Sequence, residues 1–374
     1  MKLRRWYGTL ATAVCVAVVL AVLGVLVPHA LWAQETKEKV TVDDVDRNFM
    51  VRLPKGYDAK QHYPVVVLLH GMNQDAEDME RLTGFDALAD KDGVIVVYPI
   101  ALHGRWNVGV RPQEKRPATM GPGGGHHHGG GGYPGGGGGG GGYPGGGGGG
   151  GGYPRGGGQQ QPQGGQEPED RRAPPADDVA FVTQMLDQLG TKFSVDASRI
   201  YAAGLSEGGF MSLRLGCALG DRLAAVAAVG AAMPKTMICV PPRPVPLVMI
   251  SGTSDPVVPY GGGTEKNLSL ATISVEDSAK SWAKIDRCGE KPEKIKLPAS
   301  AKGGMEIRVD TYDGCQQSAQ VVLYSLKGAG NTWPGGEQYE AENAIGKTSQ
   351  DLNADEVIWK FLAARKLPAS DQKQ

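Results

Sequence analysis

Residues 121–165 hold 29 of the 57 glycines of this 374-residue chain, and within them Tyr-Pro recurs every ten residues, at 133, 143 and 153. Such a stretch has almost nothing to bury, so it reads as a flexible coil that cannot contribute to a core. With its charged flanks the segment extends from about 110 to 175, which, with the first 33 residues also set aside, leaves about 275 residues, enough for one large domain. His126, His127 and His128 open the segment. A flexible tether does not preorganise ligands, so no metal site is expected there.

The remainder alternates two signals. FMVRLP (49–54) places Phe49, Val51 and Leu53 on one face, as a half-buried strand would. YPVVVLLHG (63–71), GVIVVYP (93–99), RIYAAGLS (199–206), PVPLVMISG (244–252) and QVVLYSLKG (320–328) are short apolar runs ending in turn residues, the signature of buried parallel strands. Between them Val179, Val182, Met185, Leu186 and Leu189 follow a helical period, and Asn353 three residues before Glu356 suits a helix cap. The expected fold is α/β, a mostly parallel central sheet with helices on both faces and the glycine-rich segment as an insertion. In such sheets ligands bind beyond the carboxyl ends of the strands.

Lys2, Arg4 and Arg5 precede an apolar run from Ala11 to Val27, and small Ala33 precedes a polar stretch. This predicts a signal peptide over 1–33 and a secreted or periplasmic product of residues 34–374. Left uncleaved, about 17 apolar residues fall near the lower limit for spanning a membrane, the one route to a membrane association. Without those 33 residues the chain has 36 Lys and Arg against 40 Asp and Glu. That balance gives no field favouring nucleic acid. The four cysteines left, Cys217, Cys239, Cys288 and Cys315, allow three disulfide connectivities in an oxidising compartment, and short loops favour 217 with 239 and 288 with 315.

GLSEGGF (204–210) lies between the strand RIYAAGLS and the helical FMSLRLGCAL. This is the strand–turn–helix context in which G-x-S-x-G presents a nucleophile, here Ser206. The turn after LLHG can aim the Met72 N–H toward it, forming an oxyanion hole with the Glu207 N–H. Asp255, just after PVPLVMISG, suits the acid in the order Ser…Asp…His. All seven histidines, however, precede Ser206. His70 reads as a structural ring at a strand end, and His103 as an exposed loop residue on the ligand side, a candidate for a relocated base.

The chain resembles the secreted esterases of the polyhydroxybutyrate depolymerase and feruloyl or acetylxylan esterase group, through LLHG, LTGFDALADKDGVIVVYP, WN (106–107), DDVAF (177–181), GLSEGG, GTSDPVVPY and TWPGG (332–336). The resemblance runs from about 47 to 361 without the insertion, and implies an α/β-hydrolase fold. It also implies Ser206 as nucleophile, Asp255 as the orienting acid, and disulfides Cys217–Cys239 and Cys288–Cys315. Two positions depart from the family pattern. Glu207 stands where Asn or Ala is usual, with its carboxylate expected beside the reacting centre, and Asn331 stands where the catalytic histidine precedes Thr-Trp-Pro-Gly.

The function expected is a serine-type carboxylic ester hydrolase acting on polymeric or polymer-linked esters, polyhydroxyalkanoates or plant cell-wall polysaccharide esters, through an acyl-enzyme on Ser206. It needs no cofactor and no metal. The alternative is a non-catalytic ester- or glycan-binding protein on the same fold, with Trp106 and Trp333 as stacking surfaces. Asn331 favours the alternative, because an amide cannot accept the serine proton.

Overall fold

Every residue of β3 (Tyr63–Leu69) is buried, and its side chains divide between two cores, Val65, Val67 and Leu69 on one side of the sheet and Val66 and Leu68 on the other. A strand covered on both faces has no polar side to alternate with, which is why the run is continuously apolar. The computed structural model describes residues 34–109, 176–265, 270–299 and 304–369. All lie in one unit, Met1–Gln113 with Pro175–Gln374. The expected signal peptide over 1–33 and the expected glycine-rich insertion, with His126–His128, lie outside the described residues.

Around β3 stand β1 (Gln34–Val42), β2 (Val45–Leu53), β4 (Ile95–Pro99), β5 (Val195–Leu205), β6 (Ala225–Val229) and β7 (Leu247–Gly252), followed in chain order by the two-residue strands β8 (Gly263–Thr264) and β9 (Ala271–Thr272) of a separate ribbon. With β10 (Glu293–Leu297), β11 (Ile307–Tyr312) and β12 (Val321–Leu326) they build a ten-stranded sheet in the order β1-β2-β4-β3-β5-β6-β7-β12-β11-β10. From β4 to β12 the neighbours pair parallel, and the outer pairs at both ends are antiparallel. Both edges carry charge: Lys37 and Lys39 on β1, Lys294 and Lys296 on β10, each ion-paired. Charged edges discourage a further strand from adding.

One face is covered by α1 (Ala76–Leu82), α2 (Phe85–Asp92) and α7 (Ala354–Ala363), the other by α3 (Asp178–Lys192), α4 (Glu207–Ala218) and α5 (Val275–Ile285). A one-turn α6 (Glu342–Ile345) lies in the loop after β12. The expected cap holds, with the Asn353 side chain accepting from the Glu356 N–H at 3.0 Å. The α3 face buries Val182, Met185, Leu186 and Leu189, with Phe181 added. The strand at 49–54 differs from expectation in being covered twice, because Met50 enters the core opposite to Phe49, Val51 and Leu53. Both expected disulfides are formed, Cys217–Cys239 and Cys288–Cys315.

The WN and DDVAF motifs meet at the base of the insertion. Buried Arg47 pairs with buried Asp178 at 2.5 Å and stacks on the Phe181 ring at 4.2 Å. The second Asp178 oxygen accepts the Asn107 N–H at 2.6 Å, and the Asn107 amide donates to the Ala176 carbonyl at 2.8 Å. A buried pair of this kind stays intact only with its remaining hydrogen bonds satisfied. The chain therefore leaves and re-enters the domain through two points tied directly together.

Candidate active site

β5 ends at Leu205 and α4 starts at Glu207, so the whole reversal falls on Ser206, whose backbone adopts φ 54°, ψ −116°. For a residue with a Cβ this is a strained conformation, retained only where the surroundings over-determine it. The surroundings do so through glycines. A Cβ on Gly208 would lie 2.1 Å from the Leu69 carbonyl oxygen, and one on Gly204 would lie 2.4 Å from the Gly208 backbone. The Ser206 N–H donates to the Val229 carbonyl of β6 at 2.8 Å, anchoring the turn at the carboxyl edge of the sheet.

Ser206 opens onto a cavity of about 210 Å³ whose lining includes Met72, Gln74, Val257, Asn331 and Tyr339. The Glu207 N–H belongs to the first turn of α4, where amides have no intrahelical acceptor. Met72 arrives from the turn after β3. That turn is braced by Gln74, which accepts the Gly71 N–H at 2.8 Å, and by His70. The His70 Nε2 accepts the Ala101 N–H at 3.0 Å, so the proton sits on Nδ1, which donates to the Gly71 carbonyl at 2.7 Å. Burial lowers the pKa of this ring, and both nitrogens are committed to the backbone. His70 is a brace for the turn, as expected. His103 is exposed on the loop after β4 and does not line the cavity.

On the other wall, the Asp255 Oδ1 accepts the Val257 and Val258 N–H groups at 2.8 and 2.7 Å, and its Oδ2 accepts from the Asn331 Nδ2 at 2.8 Å. The second Asn331 amide hydrogen goes to the Gly230 carbonyl at 3.0 Å. Both neighbours are acceptors, which fixes the amide orientation and leaves Oδ1 as the group not so engaged. Burial raises Asp255 to about 6, opposed by the N–H of Val258, the amide of Asn331 and the N–H of Val257. The Asn331 carbonyl accepts from the Tyr339 hydroxyl at 2.9 Å, and its N–H donates to Ile345 at 2.6 Å, so the backbone is pinned as well. Asn331 thus reproduces the hydrogen bond that a histidine Nδ1 would make to the acid, and has no counterpart of the distal ring nitrogen.

Three expectations are corrected. Trp106 is 3% exposed, with its indole N–H on the His70 carbonyl at 2.9 Å, and Trp333 is fully buried with its N–H on Asp355 at 2.9 Å. Neither offers a face for stacking; both spend their polar edge inside the fold. The Glu207 carboxylate is not held at the reacting centre: it does not line the cavity, its Oε1 meets the Arg105 Nε at 3.2 Å, and the backbone N–H of Trp106 also faces it. Desolvation raises Glu207 to about 7 against the charge and hydrogen bond of Arg105. Gln74 and Tyr339 were not anticipated, and their roles depend on loop geometry that no spacing encodes. Among the described residues no group of three His, Cys, Asp or Glu is placed to hold a metal, and no helix is long and apolar enough to cross a membrane.

A mostly parallel sheet flanked by helices, with a strained serine between strand and helix, defines an α/β-hydrolase. Residues 42–124 match the family model described as "Putative esterase". The chain is 26% identical to the "Putative esterase NocK" of Nocardia uniformis subsp. tsuyamanensis, over 88% of this chain and 83% of that protein. It is 33% identical to feruloyl esterase B of Piromyces equi over 42% of this chain, a stretch spanning 29% of that protein. The solved acetyl xylan esterase from Aspergillus awamori aligns over 88% of this chain and 99% of its own at 12% identity, with a TM-score of 0.49. The chain thus has the α/β-hydrolase fold and is similar to esterases in sequence.

Proposed function

We propose that this chain is an exported carboxylic ester hydrolase that forms an acyl-enzyme on Ser206, with turnover limited by Asn331. Its substrates are esters attached to or forming a polymer, aryl or acetyl esters on polysaccharides or hydroxyalkanoate esters. The observation that carries this reading is the elbow: Ser206 is held at φ 54° facing a cavity whose opposite wall carries Asn331 bonded to Asp255. In the reaction the Ser206 oxygen bonds to the ester carbonyl carbon, and the Met72 and Glu207 N–H groups receive the developing oxyanion. The ester C–O bond breaks as the serine proton passes through water to the departing alkoxide, and a second water then cleaves the acyl-enzyme to the acid and free Ser206. The Ser206 proton needs an acceptor. The Asn331 Oδ1 can take a hydrogen bond from the hydroxyl but not its proton at neutral pH. In subtilisin, loss of the histidine alone lowers kcat by about 10⁶ and leaves about 10³ to 10⁴ over water.

The second reading, binding of an ester or glycan without turnover, is favoured by the same Asn331, whose amide hydrogens are fully satisfied. A comparison of wild type, Ser206→Ala and Asn331→His on an activated short-chain ester separates them. An Asn331→His gain in kcat of about 10³ or more, lost again in the double variant with Ser206→Ala, is expected. A wild type no faster than Ser206→Ala favours the binding reading. An Asn331→His variant that folds, retains its Asp255 contact and gains nothing overturns the site assignment.

A further inference from the structure

Where α5 ends, beside the Cys288–Cys315 disulfide, a cavity of about 500 Å³ is lined by Lys280, Lys284, Arg287, Lys291, Glu290 and Tyr312, among others. Four cations face one carboxylate there, and all four cations are exposed. Like charges gathered around one concavity raise its potential and are unfavourable unless something compensates them. On the adjoining strands the protein supplies the compensation itself. On neighbouring β10 Lys294 pairs with Asp310 and Lys296 with Glu306, and Arg308 beside them pairs with Glu276 and Asp310. Among the described residues no such ion pair joins the four cations of the cavity.

Arg287 adds a second, independent observation. The N–H of Arg287 bonds to the Lys284 carbonyl at 3.1 Å and the N–H of Cys288 to the Ala283 carbonyl at 2.9 Å, the paired bonds of a Schellman ending. The residue between them must be left-handed, and Arg287 has φ 54°. Glycine takes this conformation without a Cβ penalty, whereas a long side chain does so under strain. Cys288, which follows at once, is fixed to Cys315 by a disulfide. The strained position therefore carries a guanidinium on a rigid mount at the wall of the cavity. Cations at a helix C-terminus also interact favourably with its carbonyl end, and that is the competing account of the cluster.

We infer that this basic cavity is a binding site for a multiply charged oxyanion, carboxylates on an acidic glycan or the phosphates of a phosphate ester. It is separate from the Ser206 cavity and holds whether or not the esterase reading does. Planar guanidinium and clustered ammonium groups suit both anions, and the site then serves to hold the domain on an acidic polymer.

The test uses the mature chain in two arms, a labelled oligogalacturonide followed by anisotropy and inorganic tripolyphosphate followed by thermal shift, at low and 0.5 M salt. Salt should weaken binding, since exposed charges are screened. Lys280→Gln, Lys284→Gln, Arg287→Gln and Lys291→Gln together should abolish it. Neutralising Lys60, Lys91, Lys360 and Lys366 to Gln instead, an equal loss of charge elsewhere, should leave it within twofold. Arg287→Gly is decisive: relief of the left-handed strain should hold or raise the melting temperature while binding falls about tenfold. A response to the glycan alone identifies a carboxylated glycan, and to tripolyphosphate alone a phosphate ester. No binding in either arm, equal weakening by both quadruple variants, or an Arg287→Gly variant that binds as wild type overturns the site.

Discussion

On one side of the cavity Ser206 is fixed by backbone shape: Gly204 and Gly208 let β5 and α4 approach until a single added Cβ would lie 2.1 Å from a strand carbonyl. On the other side Asn331 and Asp255 are fixed by side-chain hydrogen bonds of 2.7–3.0 Å. The first arrangement is all or nothing, because a main chain under steric contact on both sides cannot yield locally. The second is modular. A side chain that keeps one donor toward Asp255 fits the corner whatever its far end does, and Asn331 is such a side chain.

The sharpest way to break the contrast is at the elbow. Gly208→Ala should cost more than about 4 kcal/mol, the exceptional range for one substitution, because the colliding atoms are backbone of β3 and not a yielding side chain. Urea denaturation measures it, and a loss under about 1 kcal/mol would mean that the elbow is not sterically locked.

Next in size is the carboxyl beside the elbow. Glu207 is raised from 4.5 to about 7 by burial, with Arg105 and the Trp106 N–H opposing and Glu265 adding to the rise. Its folded value exceeds its unfolded one, so its contribution to stability is complete below about 4.5 and lost as pH rises through about 7. A shift of that size corresponds to about 3 kcal/mol. Wild type should therefore lose stability from pH 5 to pH 8 relative to Glu207→Gln by about that amount, read from denaturation midpoints at both pH values. Parallel pH curves for the two proteins would contradict the burial of that carboxyl. On the modular side, Asn331→Ala strips one donor from Asp255 and one from the Gly230 carbonyl, and should cost only about 2 kcal/mol with the fold intact by circular dichroism.

The two sides were unequally legible in the sequence. The elbow was readable because its chemistry is written in adjacent letters: a β run, glycines two residues either side of Ser206, and a helical run. The Asp255 corner was readable by position after β7, and both disulfides by loop length. Burial of Trp106 and Trp333 was not, because an indole is equally suited to stacking outward or donating inward, and what decides it is an acceptor, the His70 carbonyl or Asp355, brought from elsewhere in the chain. Glu207 pointed inward for the same kind of reason, its partner Arg105 lying 102 residues away. The outer strands β1 and β10 escaped notice because they are mostly exposed and rich in Lys and Glu, so neither shows an apolar run. Alanine-rich β6 carries only two β-branched residues in AVAAV and reads as easily as helix.

The smallest expected effect concerns the insertion, where neither kind of constraint need act. Its two ends meet at the hydrogen bond between the Asn107 amide and the Ala176 carbonyl, next to the Arg47–Asp178 pair. An eight-residue Gly/Ser linker in place of residues 110–175 therefore has almost no gap to span. For a loop closing as a flexible coil, shortening by about three halvings should add about 1 to 2 kcal/mol of stability, because closure entropy grows only with the logarithm of length. Denaturation midpoints of the shortened and full chains measure this. A shortened chain that loses stability would show that the segment contributes contacts of its own. If stability is kept, any change in binding to a polymer can be assigned to the segment and not to the domain that carries it.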